Sequence, residues 1–312
     1  MDITDIRQAQ ERIKPYLKRT PLERSETISG RLGTNVFAKY ELYQKTGSFK
    51  ARGAFNKLLS LTDEQRGRGI VAVSGGNHAQ AVAYASTALG LESVIVMPES
   101  TPENYVEATL AYGAKVDLQP SIAAAFEVIE DYQSKGMTFV HPFDDPLVMA
   151  GQGTLALEIL EDLPETTDVI VSIGGGGLAG GVATAIKSVK PDARVWGVET
   201  VGADAMTQAL EAGHPVKVEI TSIAKTLAAP AVSETTLALA QKYIESVTLI
   251  PDAEAVREIA YIAERLKVLT EPAASCTLAA AEKLRDNFSP DSNVVLILCG
   301  GNQSVKDLCG HL

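Results

Sequence analysis

Cysteine is scarce, with only Cys276, Cys299 and Cys309 in 312 residues. They are too few and too irregularly spaced for a disulfide framework or a CxxC metal site, which fits a reducing, cytoplasmic setting. The four histidines, His78, His141, His214 and His311, show no metal-ligand spacing. No GxSxG turn is present, so a serine nucleophile of that kind is excluded. No stretch of ~18 residues is both apolar and free of charge, which excludes a membrane-spanning helix. Basic residues are outnumbered, 28 Lys plus Arg against 39 Asp plus Glu for a net charge of −11, and they form no cluster. Such a surface repels nucleic acid and anionic membranes, leaving small molecules as the expected partners. Repeats of ~20 to 50 residues and low-complexity tracts are also missing, which sets aside solenoids and disordered tails. The opening MDITDIRQAQERIK has acidic residues at once and no apolar stretch, so it does not read as a secretion signal. It reads as an amphipathic helix with Ile6, Ala9, Ile13 and Leu17 near one face.

What is present is an ordinary globular balance, 46% apolar and 21% charged, over a length that suggests two domains. Short β-branched runs end in glycine or polar turns and lead into alanine-rich helical stretches. Ile70 to Val73 precedes a helix over Ala79 to Leu89, and Ser93 to Met97 precedes one over Pro102 to Tyr112. Val169 to Ile173 precedes Leu178 to Val189, and Asn293 to Leu298 precedes a short tail. This alternation predicts an α/β protein with buried parallel sheets. Another helix is expected over Ala253 to Leu266, with Asp252 as its N-cap. Residues 69–146 form a compact set of βα units that can close as a small domain, leaving 1–68 and 147–312 to pair as a larger one.

Ligands in open α/β sheets bind outside the carboxyl ends of strands, so glycine clusters at strand-to-helix joints are the informative positions. Gly174, Gly175, Gly176 and Gly177 follow an apolar strand, and Leu178 opens a helix. Without Cβ atoms the backbone can turn its N–H groups around an anion, with the helix dipole adding to the attraction; a plain tight turn needs fewer glycines. Gly175, Gly177 and Gly180 also satisfy GxGxxG, with Glu199 about 20 residues on, which taken alone suggests a nicotinamide oxidoreductase. A second cluster, Ser74, Gly75, Gly76, Asn77 and His78, suits either a carboxylate at a helix start or simple capping. In the third, Cys299 precedes Gly300 and Gly301, as a small buried hydrophobe or as a group facing a ligand.

Lys50 stands apart from the other lysines. It lies in KTGSFKARGA beside Phe49, Ala51 and Ala54, an apolar setting that favours a neutral amine able to form an imine, although most lysines are solvated surface charges. An imine-forming amine, an anion cradle and a carboxylate-binding turn are together the requirements of pyridoxal phosphate acting on an amino acid.

The chain resembles the fold-type II pyridoxal-phosphate enzymes (tryptophan synthase β-like), specifically the serine/threonine dehydratase and serine racemase group. The resemblance runs over essentially the full length. It rests on KTGSFKARGA, SGGNHAQAVAYA from Ser74, HPFDDPLVMAGQGT from His141, GGGGLAGG from Gly174, EPAA from Glu271 and CGGN from Cys299. It implies two open, twisted, mostly parallel sheets flanked by helices, a mobile small domain and a homodimer. It also implies that Lys50 forms the internal Schiff base after Phe49, that Gly174 to Gly177 with Leu178 bind the cofactor phosphate, and that Asn77 bonds the ring hydroxyl. Cys299 would face the pyridine nitrogen and Glu271 would line the pocket near the ring. Ser74, Gly75, Gly76, Asn77 and His78 would take the substrate carboxylate.

The expected activity is that of a pyridoxal 5'-phosphate-dependent lyase converting a β-hydroxy-L-amino acid, L-threonine or L-serine by default, to a 2-oxo acid and ammonia. A serine racemase of the same family is the alternative. Racemases of the group carry a serine where this chain has Gly75, which argues against isomerisation. Their metal site has acids where this chain has Glu199 and Ala205, with Ala203 between, so no metal is expected. The sequence also ends soon after CGGN, without the length of the regulatory domain of biosynthetic threonine deaminases.

Overall fold

The computed structural model describes residues 1–310, so His311 lies outside the described residues. Ten strands are described: β1 (Leu22–Arg24), β2 (Asn35–Lys39), β3 (Ile70–Val73), β4 (Ser93–Pro98), β5 (Lys115–Gln119), β6 (Thr138–Phe139), β7 (Asp168–Ser172), β8 (Arg194–Thr200), β9 (Val247–Ile250) and β10 (Asn293–Ile297). They build a six-stranded sheet in the order β1-β2-β10-β7-β8-β9 and a four-stranded sheet in the order β5-β4-β3-β6. Only β1 and β2 pair antiparallel; the other neighbours are parallel. This is the α/β architecture of two parallel-rich sheets flanked by helices.

The apolar runs explain the parallel pairing. Every residue of β3 and β7 is buried, the signature of strands covered on both faces. In the smaller sheet, side chains alternate between faces. Ile70, Ala72, Ile95 and Met97 pack on the Asn77–Ala88 helix, while Val71, Val73 and Val96 meet Ala125 and Ile129 on the other side. The first of these cores also takes in Ile13, Ala51, Ala54, Phe55, Leu58 and Val148, so the Lys50–Leu59 and Pro146–Asp162 helices join the two sheets.

Two helical details differ from the sequence reading. The N-terminal helix spans Ile3–Ile13 and buries Ile6, Ala9 and Ile13, but Leu17 lies beyond its end. Asp2 and Asp5 form a capping box there. The helix read from Ala253 begins at Asp252, which does not cap it. Its carboxylate accepts from Ser222 Oγ (2.6 Å) and Ile223 N (2.9 Å), tying a neighbouring loop to the helix instead.

The strand ends bring the glycine clusters together. Gly174 follows β7, Ser74 follows β3 and Cys299 follows β10. The loop before Lys50 is laced to the last of these, with Phe49 N donating to Cys299 O and Gly301 N to Gly47 O, both at 3.0 Å.

Candidate active site

Lys50 is the first residue of its helix, and its side chain is half-buried. Its Nζ donates to the Pro142 carbonyl at 2.7 Å and lies 5.2 Å from the centre of the Phe49 ring. Desolvation pulls the amine down to about 8 against the opposing pull of Cys299 and Glu271. Near neutral pH a useful fraction is therefore the uncharged nucleophile. The preceding loop needs unusual backbone angles, with Thr46 at φ 61° and Gly47 at φ 70°. A Cβ on Gly47 would fall 2.5 Å from Asn302 Oδ1.

The four glycines after β7 lead into the Gly177–Val189 helix, with Gly176 at φ 91° as its N-cap. Close approach makes glycine necessary here. A Cβ would lie 2.2 Å from the Phe143 ring at Gly175 and 2.7 Å from the Phe143 carbonyl oxygen at Gly177. The first-turn amides have no intrahelical acceptors and carry the positive end of the dipole, which suits a phosphate.

A hydrogen-bonded polar cluster is centred on Glu271, which lines the same cleft as the lysine and the cradle. Asn77 Nδ2 donates to both oxygens of Glu271 (2.9 and 3.1 Å), Thr226 Oγ1 donates to Glu271 Oε1 (3.1 Å), and Asn302 Nδ2 donates to Asn77 Oδ1 (2.7 Å). Burial nevertheless raises the Glu271 carboxyl above its usual range. Cys299 is buried as well, its sulfur receiving Ser172 Oγ at 3.5 Å, and burial pushes its thiol well up.

Phe49, Lys50, Asn77, Gly174 to Gly177, Leu178, Glu271 and Cys299 line one cleft, together with Phe143, Ser172, Thr226, Leu227 and Ala273. Ser74, Gly75, Gly76 and His78 do not line it; they adjoin it through Asn77. The His78 imidazole turns away, its Nε2 2.9 Å from the Val140 carbonyl, and burial drives it down to about 3. Its Nδ1 is buried without a hydrogen-bond partner. Ser172, Thr226 and Ala273 do not stand out in the sequence, and neither does the Pro142 carbonyl. Ser172 ends a strand just before the glycine loop, a signal available in retrospect; Thr226 has none.

A phosphorylated aldehyde cofactor fits these residues: a desolvated amine, a Cβ-free anion cradle and a polar cluster face the same space. The chain matches the family described as pyridoxal-phosphate dependent enzyme over residues 13–300. It belongs to that family. It is 40% identical over 98% of its length to an L-threonine ammonia-lyase of Geobacter sulfurreducens, covering 76% of that protein. A catabolic L-threonine dehydratase of Staphylococcus aureus is 39% identical, with 99% and 91% covered. Among solved structures, maize serine racemase is similar with a TM-score of 0.94 and 36% identity over 99% of this chain and 96% of that one. A threonine deaminase from T.th. gives a TM-score of 0.92 and 36% identity over 97% of this chain and 99% of that one. The fold is therefore that of the fold-type II enzymes.

Glu199 bears on the nicotinamide alternative. Its buried carboxylate accepts from Met206 N (2.8 Å), Thr207 N (2.8 Å) and Thr207 Oγ1 (2.7 Å), at the start of the Ala205–Ala212 helix. Burial raises it to about 7. Three of the roughly four acceptor sites of that carboxylate are thus taken, which disfavours a ribose contact there.

Proposed function

We propose that this enzyme is an ammonia-lyase acting on a β-hydroxy-L-amino acid, L-threonine or L-serine by default, to give the 2-oxo acid and ammonia. Bound pyridoxal phosphate supplies an aldehyde for the amino group and an electron-withdrawing ring that loosens bonds to the α-carbon. Lys50 is the residue that holds the aldehyde, Gly174 to Gly177 with Leu178 hold the phosphate, and Asn77, braced by Glu271 and Asn302, stands near the ring. The N–H groups of the Ser74 to His78 turn receive the substrate carboxylate. Once displaced from the aldehyde, the Lys50 amine accepts the α-proton at Nζ. Loss of water across the α,β bond and hydrolysis of the resulting imine balance without any outside oxidant.

The observation that carries elimination is Cys299. A buried thiol that keeps its proton cannot protonate a ring nitrogen as a carboxylic acid would, so electrons are better released with the β-hydroxyl than stored. The deciding experiment assays oxo acid and both serine enantiomers from a panel of β-hydroxy amino acids. Oxo acid with negligible D-isomer is expected; abundant D-serine would favour the racemase reading, which the likeness to maize serine racemase keeps in view.

Residues 69–146 are proposed as the mobile domain that closes over the substrate, with 1–68 and 147–312 as the cofactor-binding part. The four-stranded sheet falls within that block, which supports the division. Assembly as a homodimer is carried from the family resemblance, and a cytoplasmic location from the scarcity of cysteine.

A further inference from the structure

Thr101 sits in the tight turn after β4, its backbone N–H donating to the Pro98 carbonyl at 2.9 Å. Its hydroxyl oxygen is shut off from water and has no hydrogen-bond partner. Buried hydroxyls without partners are costly and uncommon, so this one calls for an explanation. The hydroxyl points at the Ser74 to His78 turn: a Cβ on Gly75 would fall 2.6 Å from Thr101 Oγ1. Position 75 is thus held to glycine by a hydroxyl reaching across from the next strand's loop.

Most polar atoms of that turn's side chains are engaged, the exception being the buried His78 Nδ1, a ring nitrogen that burial holds neutral. Ser74 Oγ accepts from Gly76 N (3.1 Å), the Asn77 amide is bound to Glu271, and the His78 ring is bound to Val140. Thr101 is the hydroxyl in contact with the turn that has nothing to bond. We propose that Thr101 is a further substrate-binding residue, its Oγ1–H donating to the carboxylate of the amino acid held at the Ser74 to His78 turn. The assignment rests on the placement of the carboxylate in the lyase reading.

The test uses the cofactor-loaded enzyme and the Thr101→Val, Thr101→Ser and Gly75→Ala variants. Loss of a hydrogen bond to a charged group should raise KM for the hydroxy amino acid by roughly 10-fold or more in Thr101→Val, with kcat changed far less. The dissociation constant of L-alanine, which shares the carboxylate but has no hydroxyl to eliminate, should rise by a similar factor when read from cofactor absorbance. Thr101→Ser restores the hydroxyl and should restore both constants. Gly75→Ala pushes a methyl into the hydroxyl and should mimic Thr101→Val, but should have little further effect in a Thr101→Ala background, where the space is vacated. Unchanged L-alanine binding in Thr101→Val overturns the proposal. Absence of oxo acid from the unmodified enzyme overturns the lyase reading instead, and the absorbance titration still reports on Thr101.

Discussion

Replacing Arg52 with methionine would test how the Lys50 loop is anchored. Arg52 lies two residues beyond Lys50 and is 1% exposed; burial works against its charge, but Glu41 and Glu158 outweigh it and hold the proton on. Its guanidinium donates to Glu41 at 2.8 Å from both Nε and Nη2, to Glu158 at 2.7 and 2.9 Å, and to Thr154 Oγ1 at 3.1 Å. Lys39 Nζ completes the group, donating to Glu158 Oε2 at 2.6 Å and to the Thr20 carbonyl at 2.7 Å. Two cations and two carboxylates therefore balance inside the core. Burial works against the Glu158 charge, but Arg52 and Lys39 outweigh it and hold that carboxyl below its usual range. Glu41 opens the loop that ends at Lys50, and Glu158 lies on the helix that follows Pro142, so the network clamps both sides of the amine. Arg52→Met leaves a net buried negative charge, at a cost of about 3–5 kcal/mol. At roughly 1.5 °C per kcal/mol for a chain of 312 residues, melting should fall by about 5–8 °C in a calorimetric scan. Adding Glu41→Gln removes the stranded charge and should recover part of the loss. A single-variant cost below about 1 kcal/mol, or no recovery in the double variant, would refute the reasoning.

In the cofactor-free protein, competitive labelling of Lys50 with an amine reagent should follow a midpoint near 8, against ~10.4 for an ordinary lysine, with the reactive neutral form increasing as pH rises. Gly177→Ala drives a methyl against the Phe143 backbone and should weaken pyridoxal phosphate binding by roughly 10-fold or more in an absorbance titration, the overpacking strain being about 1–3 kcal/mol. Gly30→Ala, in a helix with no atom near the added carbon, should leave that affinity unchanged. Chelation should leave oxo-acid production and melting temperature intact, because the Glu199 carboxylate is already taken by the Met206 and Thr207 donors; magnesium-restored activity would refute this.

The fold is legible wherever a strand is apolar on both faces and stops at glycine. The sequence pattern over Ile70 to Val73 matches the observed bounds of β3, and the helices after the glycine loops fall within a few residues of their expected places. The half-exposed β9 and the two-residue β6 leave little hydrophobic pattern to read, and their pairing is set by neighbours distant in sequence. Asp252 shows the limit of capping rules: an acid before an apolar helix reads as its cap, but Ser222 and Ile223 compete for the carboxylate. In the site, contiguous motifs mark Lys50, the glycine cradle and the Ser74 turn. The buried ions are illegible by contrast, since Lys39, Glu41, Arg52 and Glu158 look like surface charges until the fold brings them together. Thr101 is invisible for the same reason, since its significance depends on a contact with Gly75 across two loops.

The titratable groups around Lys50 share one bias. Burial lowers the amine itself, lowers His78 and His141, and raises Glu271 and Cys299. Each shift favours the neutral form, so burial disfavours fixed charge on all five side chains. The backbone offers a further attraction for anions: the amides of Gly174 to Gly177 at one helix start and those of the Ser74 turn at another. Such dipoles are fixed by the fold and do not titrate, so binding of a phosphate and a carboxylate need not compete with the proton transfers of the reaction. With the His78 ring held neutral and the thiol held protonated, the Lys50 amine, drawn down to about 8, can change its proton count near physiological pH. The role proposed for Lys50, first to hold an aldehyde and then to accept a proton, needs such a desolvated amine, and the walls of the cleft provide it.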